Sequence, residues 1–236
     1  RKESSAASDV YKRQCYYRTK MSSSVDTVYV ATCDEVIFNY ITSIGGNAVM
    51  TSDTHERATE RTAEALLKVE NQLNTKFQNI VMVQGDEPLV FPDQIDDSLS
   101  AFSIDNIKVS NLMKRLESMD DVNNPNNVKV VFNQAFNALL MSRSKIPSDS
   151  KFDGTINYYR QLGLIAFTRD YLLKFIELKP SKLEIIESVD MNRFLENDIS
   201  IKMIETLHEV DAIDVPSDLS RVEKKMINDE LFKFYN

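Results

Sequence analysis

The sequence predicts an α/β fold: a three-layer, mostly parallel sheet with an inserted β-hairpin region. Three observations predict it. Short runs rich in β-branched residues alternate with stretches of helical spacing through the first half of the chain. Those runs are apolar throughout rather than alternating, the pattern of strands covered on both faces. In the second half two apolar runs stand only a few residues apart, the pattern of a hairpin.

The elements follow in order. "TVYVAT" (27–32) is a compact strand, and "DEVIFNYITSIGG" (34–46) has helical spacing and stops on two glycines. "NAVMTS" (47–52) reads as a second strand, and "RATERTAEALLKVENQL" (57–73) as an amphipathic helix carrying Ala63, Leu66, Leu67 and Leu73. "NIVMV" (79–83) is a third strand. "NVKVVFNQAFNALLMS" (127–142) gives two strands joined by a short turn, and "YYRQLGLIAFT" (158–168) another strand. "RDYLLKFIEL" (169–178) and "KLEIIESVDMNRFLEN" (182–197) are helices, "ISIKMIET" (199–206) a strand, and "PSDLSRVEKKMINDE" (216–230) a closing helix. The opening "RKESSAASDVYKRQ" (1–14) is polar and has no apolar period. It reads as a leader foreign to the gene product, with a short disordered tail as the alternative, which leaves residues 15–236 as a single domain.

Composition removes several function classes. A net charge of −8 speaks against wholesale electrostatic binding to nucleic acid or to an anionic membrane. No apolar run approaches the roughly 18 residues needed to span a bilayer. The two cysteines, Cys15 and Cys33, form no CxxC pair and suggest a reducing compartment, so a cytoplasmic location is expected. Two histidines leave little room for a multi-histidine metal site or a Ser-His-Asp triad. With five glycines the chain contains no G-x-x-x-x-G-K-[ST] and no G-x-G-x-x-G, which speaks against P-loop and dinucleotide chemistry.

"VQGDEP" (83–88) ends the third strand with a glycine, two carboxylates and a proline. In open parallel sheets ligands bind beyond the carboxyl ends of the strands. Gly85 permits close backbone approach, Pro88 stops the strand, and Asp86 and Glu87 point outward into a crevice, where a carboxylate is a natural ligand for magnesium, which takes one or two carboxylates plus phosphate oxygens. The alternative is that the acids decorate a turn or cap the next helix. Asp214 in "AIDVPSDL" (212–219) stands in the same kind of position, between a strand and a helix opened by Pro216. The two aspartates could share one metal; Asp214 alone also reads as a plain turn residue.

"YVATCDEVI", "GGNAVMTS", "HERATERTAEA", "VQGDEPLV", "NPNNVKVV", "SRSKIP", "RQLGLIAF", "PSKLEIIE" and "AIDVPSDLSRVE" occur in this order over residues 25–226. Together they resemble the 3-deoxy-manno-octulosonate (Kdo) cytidylyltransferases. The resemblance implies a nucleotide-diphospho-sugar-transferase-like fold, a homodimer, and transfer of CMP from CTP to a 2-keto sugar acid with Mg²⁺, for lipopolysaccharide or another surface glycan. It implies that Asp86 and Asp214 are the metal ligands, that Gln84 touches sugar or nucleotide, and that Arg160 meets the sugar acid. A guanidinium suits a carboxylate because its fork bonds bidentately. By the same resemblance Thr59 and Arg61 help hold the nucleotide. Arg57 stands where the family has serine and could add a phosphate contact, and a solvated helix face is the alternative for both arginines. Glu184 and Glu187 are retained, either for substrate or in support of their helix. Ile185 and Met191 replace polar residues that face the sugar in the family, so another nonulosonic acid is an alternative substrate. The family's phosphate-holding loop, of the form P-A-R-x-x-S-x-R-x-P-x-K, does not precede "CYYRTKMSSS" (15–24). The resemblance therefore implies weak or no turnover for the chain as written, and a silent sugar-nucleotide-binding homologue is a further alternative.

Overall fold

The computed structural model describes residues 5–104, 106–208, 216–227 and 229–235. They group into two compact units, each taken here by itself. The first comprises residues up to Phe77, Val83–Asp96 and the segment from His208 onward; the second comprises Gln78–Met82 and Asp97–Leu207.

The first unit opens with α1 (Ser5–Lys20), so Ser5–Gln14 of the expected leader continue as helix, and Gln14 is buried. Strands β1 (Val30–Thr32) and β2 (Ala48–Met50) pair in parallel, with helix α2 (Glu35–Ser43) between them. Asp34 caps α2 by accepting from the Val36 amide at 2.8 Å. Helix α3 (Ala58–Leu73) lays Ala65 and Val69 on Val49, with Tyr29, Ala31 and Phe77 around them. It ends at Asn74, which takes the left-handed conformation (φ 47°) of a helix C-terminus. Beyond β3 (Asn79–Val83) comes α4 (Pro92–Ser100), whose Asp96 gathers Ser22, Ser23 and Ser24 from the turn after α1. Helix α9 (Pro216–Ile227) contributes Val222 and Met226 to a cluster with Leu89 and Phe232.

The second unit carries a six-stranded sheet in the order β6-β5-β7-β4-β8, with β3 also paired to β7. The strands are β4 (Val109–Arg115), β5 (Lys129–Phe132), β6 (Ala138–Ser142), β7 (Tyr159–Thr168) and β8 (Lys202–Glu205). β5 and β6 form the expected hairpin; the side chain of Asn133 organises its turn by accepting from the amides of Ala135 and Asn137. The sheet is mixed rather than mostly parallel: β7 runs antiparallel to both β4 and β5, while β4 and β8 are parallel. β4 bulges opposite β7 between Asn111 and Met113. The Asn111 amide spans the irregularity by donating to the carbonyls of Leu162 and Leu164 at 2.9 and 3.0 Å.

Helix α5 (Met119–Asn123) precedes β5, and α6 (Arg169–Glu177) follows β7. The expected long helix over 182–197 is two short ones, α7 (Lys182–Glu187) and α8 (Met191–Leu195). Ser188, at φ 53°, is left-handed and breaks them apart. Among the described residues no helix is long and apolar enough to cross a membrane.

Candidate functional site

In the first unit the chain leaves β3 through Gln84 and turns at once, the Glu87 amide donating to the Gln84 carbonyl at 3.2 Å and the Val90 amide to Glu87 at 3.3 Å. This tight turn presents Gly85 on the surface, leaves Asp86 and Gln84 half-buried and sinks Glu87. The Asp86 Oδ1 atom is itself buried. Helix α1 lies under the turn. A Cβ on Gly85 would stand 3.8 Å from Cγ of Lys12, and the Cys15 thiol sits 3.9 Å from the Gln84 carbonyl. Burial, followed by the negative charges of Asp86 and Glu87, pushes the Cys15 thiol up to about 12, against the opposing pull of Lys12 and Arg18.

Arg18 anchors the far side of the same turn. It is fully buried, donates to the Val90 carbonyl at 3.2 Å and to the Tyr235 hydroxyl at 2.8 Å, and pairs with Asp229. The guanidinium also lies over the rings of Phe91 and Tyr235. Farther along, His208 stacks on Phe91 with ring centroids 4.1 Å apart and meets Asp93 at 2.6 Å.

The second part of this unit's site is the loop between β2 and α3. Arg57 is extended (φ −115°) and sets the start of α3, Thr59 is fully buried in the first turn, and Arg61 reaches back to the end of β2. There Arg61 Nη1 donates to the Thr51 hydroxyl and, at 3.0 Å, to the Ser52 carbonyl, so Arg61 belongs to the loop and not to a solvated helix face. Glu64, one turn on, receives the Ser52 amide at 2.9 Å, pairs with His55, and meets Lys68 at 2.7 Å. The bond from Lys68, aided by Ser52 and His55, lowers the Glu64 carboxyl to about 2. His55 is thus a loop brace.

In the second unit, Arg160 on β7 donates from Nη1 to Asn127 Oδ1 at 3.0 Å. Asn127 belongs to a turn closed by a buried cation. The Lys129 ammonium donates to the carbonyls of Asn124, Asn127 and Arg143 at 2.9, 2.6 and 2.5 Å. Burial, and secondarily the nearby Arg143, holds this ammonium below the usual lysine range, with Glu187 acting the other way. Glu187 accepts from the Ser142 hydroxyl at 2.7 Å and from the Arg143 amide at 2.9 Å, fixing the turn after β6. Arg143 in turn donates to the carbonyls of Glu187 and Pro125.

Glu184 lies elsewhere. Both its oxygens meet Arg193, at 2.7 and 2.6 Å, with the two side chains buried. Arg193 also donates to the Phe175 carbonyl at 3.2 Å and stacks 3.9 Å over the Phe175 ring. Glu184 therefore ties α7 to α8 and α6. Of the two apolar replacements, Ile185 is 62 % exposed and Met191 is fully buried.

Sequence reasoning thus grouped Gln84 with Asp86, and Arg57 with Thr59 and Arg61, as the structure does. Asp214 lies outside the described residues. Asn127, Lys129 and Arg143 went unremarked as site residues although they stand inside the quoted "NPNNVKVV" and "SRSKIP". Lys12, Cys15 and Arg18, which support the acidic turn, carried no local signal. Among the described residues no three His, Cys, Asp or Glu cluster as a metal cage. A strand-end turn of one buried and one half-buried carboxylate suits a cation that keeps most of its shell for phosphate oxygens and water.

The acidic turn and the arginine-braced loop lie in the first unit and the arginine-bearing strand in the second, each of a kind that suits a nucleotide-handling transferase. The family model described as "Cytidylyltransferase" matches residues 13–203, which gives that class its name. Three curated relatives sharpen it. One from Fusobacterium nucleatum is 35% identical, covering 87% of this chain and 82% of its own. One from Geobacter metallireducens is 37% identical, covering 89% and 85%. One from Thermodesulfovibrio yellowstonii is 40% identical, also covering 89% and 85%. All three are named 3-deoxy-manno-octulosonate cytidylyltransferase, and this chain belongs to that family. Among solved structures, a CMP:2-keto-3-deoxy-manno-octonic acid synthetase complexed with CTP matches at TM-score 0.83 and 29% identity, over 92% of this chain and 88% of that one. A 4-diphosphocytidyl-2C-methyl-D-erythritol synthase from Anaerococcus prevotii shares the fold at TM-score 0.60 and 12% identity, over 92% and 89%.

Proposed function

We propose that this chain transfers CMP from CTP to 3-deoxy-manno-octulosonate, releasing diphosphate. The observation that carries the reading is the run of matched sequence, more than four-fifths of each curated relative's length, together with the likeness to a CTP-bound synthetase. In the reaction the sugar's anomeric oxygen bonds to the α-phosphorus, the bond from that phosphorus to the bridging oxygen breaks, diphosphate leaves with the electron pair, and the hydroxyl proton passes to solvent. Such chemistry depends on positioning and on neutralising charge.

The chain's own groups are assigned as follows. Asp86 and Asp214 hold Mg²⁺, and the carboxylate chemistry of the turn after β3 fits that ion. Bound Mg²⁺ would neutralise phosphate and orient the attacking oxygen. Gln84 contacts sugar or nucleotide from the same turn. Arg57, Thr59 and Arg61 hold the nucleotide from the start of α3. Arg160 receives the sugar acid's carboxylate. Glu187 acts one step back, by fixing the Ser142–Arg143 turn, and Glu184 serves the fold through Arg193. A homodimer in the cytoplasm completes the proposal.

A second reading, a cytidylyltransferase for another 2-keto nonulosonic acid, is favoured by the apolar residues at 185 and 191. The test is diphosphate release from CTP against a panel of sugar acids, with and without Mg²⁺. The first reading expects Kdo to give the highest kcat/KM, and Asp86→Asn to lower it by about a thousandfold, as loss of one key charge contact does. Preference for another acid establishes the second reading. Release that ignores Asp86→Asn sinks both, and no release with any acid leaves the silent sugar-nucleotide-binding homologue in their place.

A further inference from the structure

We propose that Asn127 is the positioning residue of Arg160, holding its guanidinium in the attitude that receives the sugar acid; this rests on the cytidylyltransferase reading above. An arginine is long, and fixing one gives up rotamer freedom. A rigid neutral acceptor at the right place meets that cost before substrate arrives.

Asn127 is such an acceptor. Its Oδ1 takes Arg160 Nη1 at 3.0 Å, and its Nδ2 donates to the Asp121 carbonyl at 2.9 Å. A guanidinium can only donate and a carbonyl can only accept, so the amide has one orientation that satisfies both. The backbone of Asn127 is held as firmly. Its carbonyl takes the Lys129 ammonium at 2.6 Å, and its amide donates to Asn124 at 3.2 Å. The next residue's carbonyl accepts the Gln161 amide at 2.8 Å, which ties the turn to β7 beside Arg160 itself. Asn127 is 9% exposed, so water competes little for these bonds. Register places Arg160 opposite Lys129 on one side and Lys114 on the other. The Lys129 charge is turned into the loop carbonyls, and Lys114 donates to the Leu207 carbonyl at 2.8 Å.

The neutrality of Asn127 is the point. A carboxylate at 127 would hold the guanidinium as well but cancel its charge. An amide holds it and leaves the pair net positive for an anionic sugar.

Steady-state kinetics test this with Kdo and CTP on the unaltered chain and on Asn127→Ala, Asn127→Asp, Arg160→Ala and the Asn127→Ala/Arg160→Ala double variant. Thermal unfolding of each is recorded alongside. Asn127→Ala is expected to raise the KM for Kdo about tenfold, the weight of one charge-assisted bond, with the KM for CTP unchanged. Asn127→Asp, nearly isosteric, is expected to raise it at least as far. The double variant is expected to match Arg160→Ala, because Asn127 acts only through that arginine. The proposal is overturned if Asn127→Asp leaves the Kdo KM unaltered, if the two losses simply multiply, or if Asn127→Ala raises both KM values equally. A chain that releases no diphosphate, or an Arg160→Ala variant with normal Kdo KM, instead brings down the reading on which the proposal stands.

Discussion

Replacing Glu184 with glutamine separates a role in the fold from a role in substrate binding. Glu184 is 1% exposed and bonds Arg193 through both oxygens, and Arg193 is 2% exposed. Glutamine keeps the shape and one acceptor but leaves the Arg193 charge buried without its counter-ion. Removing one partner of a buried pair costs about 3 kcal/mol or more, because the remaining charge is stranded away from water. For a chain of this size that lowers Tm by about 6–12 °C. The kinetic constants of the folded fraction, measured well below the transition, should stay within about twofold of the unaltered chain. The second arm is the double variant Glu184→Gln/Arg193→Met, which removes the stranded charge and should recover most of the lost Tm. The reasoning is refuted if Glu184→Gln leaves Tm where it was while raising the Kdo KM. Glu184 would then be spending its carboxylate on substrate, as the family resemblance first allowed.

Two further outcomes follow from the first unit. Cys15 is buried with its thiol pushed up to about 12, while Cys33 is exposed, so a thiol reagent at pH 8 should modify one of the two cysteines rapidly. Cys33→Ser should abolish that fast phase; two fast thiols would show that α1 does not cover the acidic turn. Glu64 ionises at about 2, with the bond from Lys68 as its largest cause. A lowered carboxyl contributes stability that is complete above its ordinary value of 4.5 and is lost as pH falls through about 2. Lys68→Met should therefore move the Glu64 midpoint up toward that ordinary value in an NMR titration, and an unmoved midpoint would dismiss the bond.

What was legible in the sequence tracks how locally each feature is determined. The β5–β6 hairpin was plain, because its turn chemistry lies within a few residues, with Asn133 receiving two of the turn's amides. β4 was not recognised. Its first five residues are all buried, and they include Ser110, whose hydroxyl donates to the Ser98 carbonyl, and Asn111, whose side-chain NH2 donates to the carbonyls of Leu162 and Leu164 far along the chain. A local window sees two polar residues and no alternation there. The break between α7 and α8 was hidden because a serine, not a glycine, takes the left-handed position at 188. The acidic turn after β3 was visible from its residue types alone. The supports of the proposed sugar-binding arginine were not: Lys129 reads as an ordinary strand residue until its ammonium is found among three carbonyls.

Arg18 has a consequence for biosynthesis. Its ionic partner Asp229 and its hydroxyl partner Tyr235 lie more than 200 positions downstream, and the Arg13 guanidinium likewise donates to the Tyr235 carbonyl. In synthesis α1 is thus made well before the residues that hold Arg18, and that docking waits until residues 229–235 have followed. The 97–207 stretch of the second unit is released earlier. Arg13 and Arg18 therefore keep their charges without these partners while the intervening residues are being made.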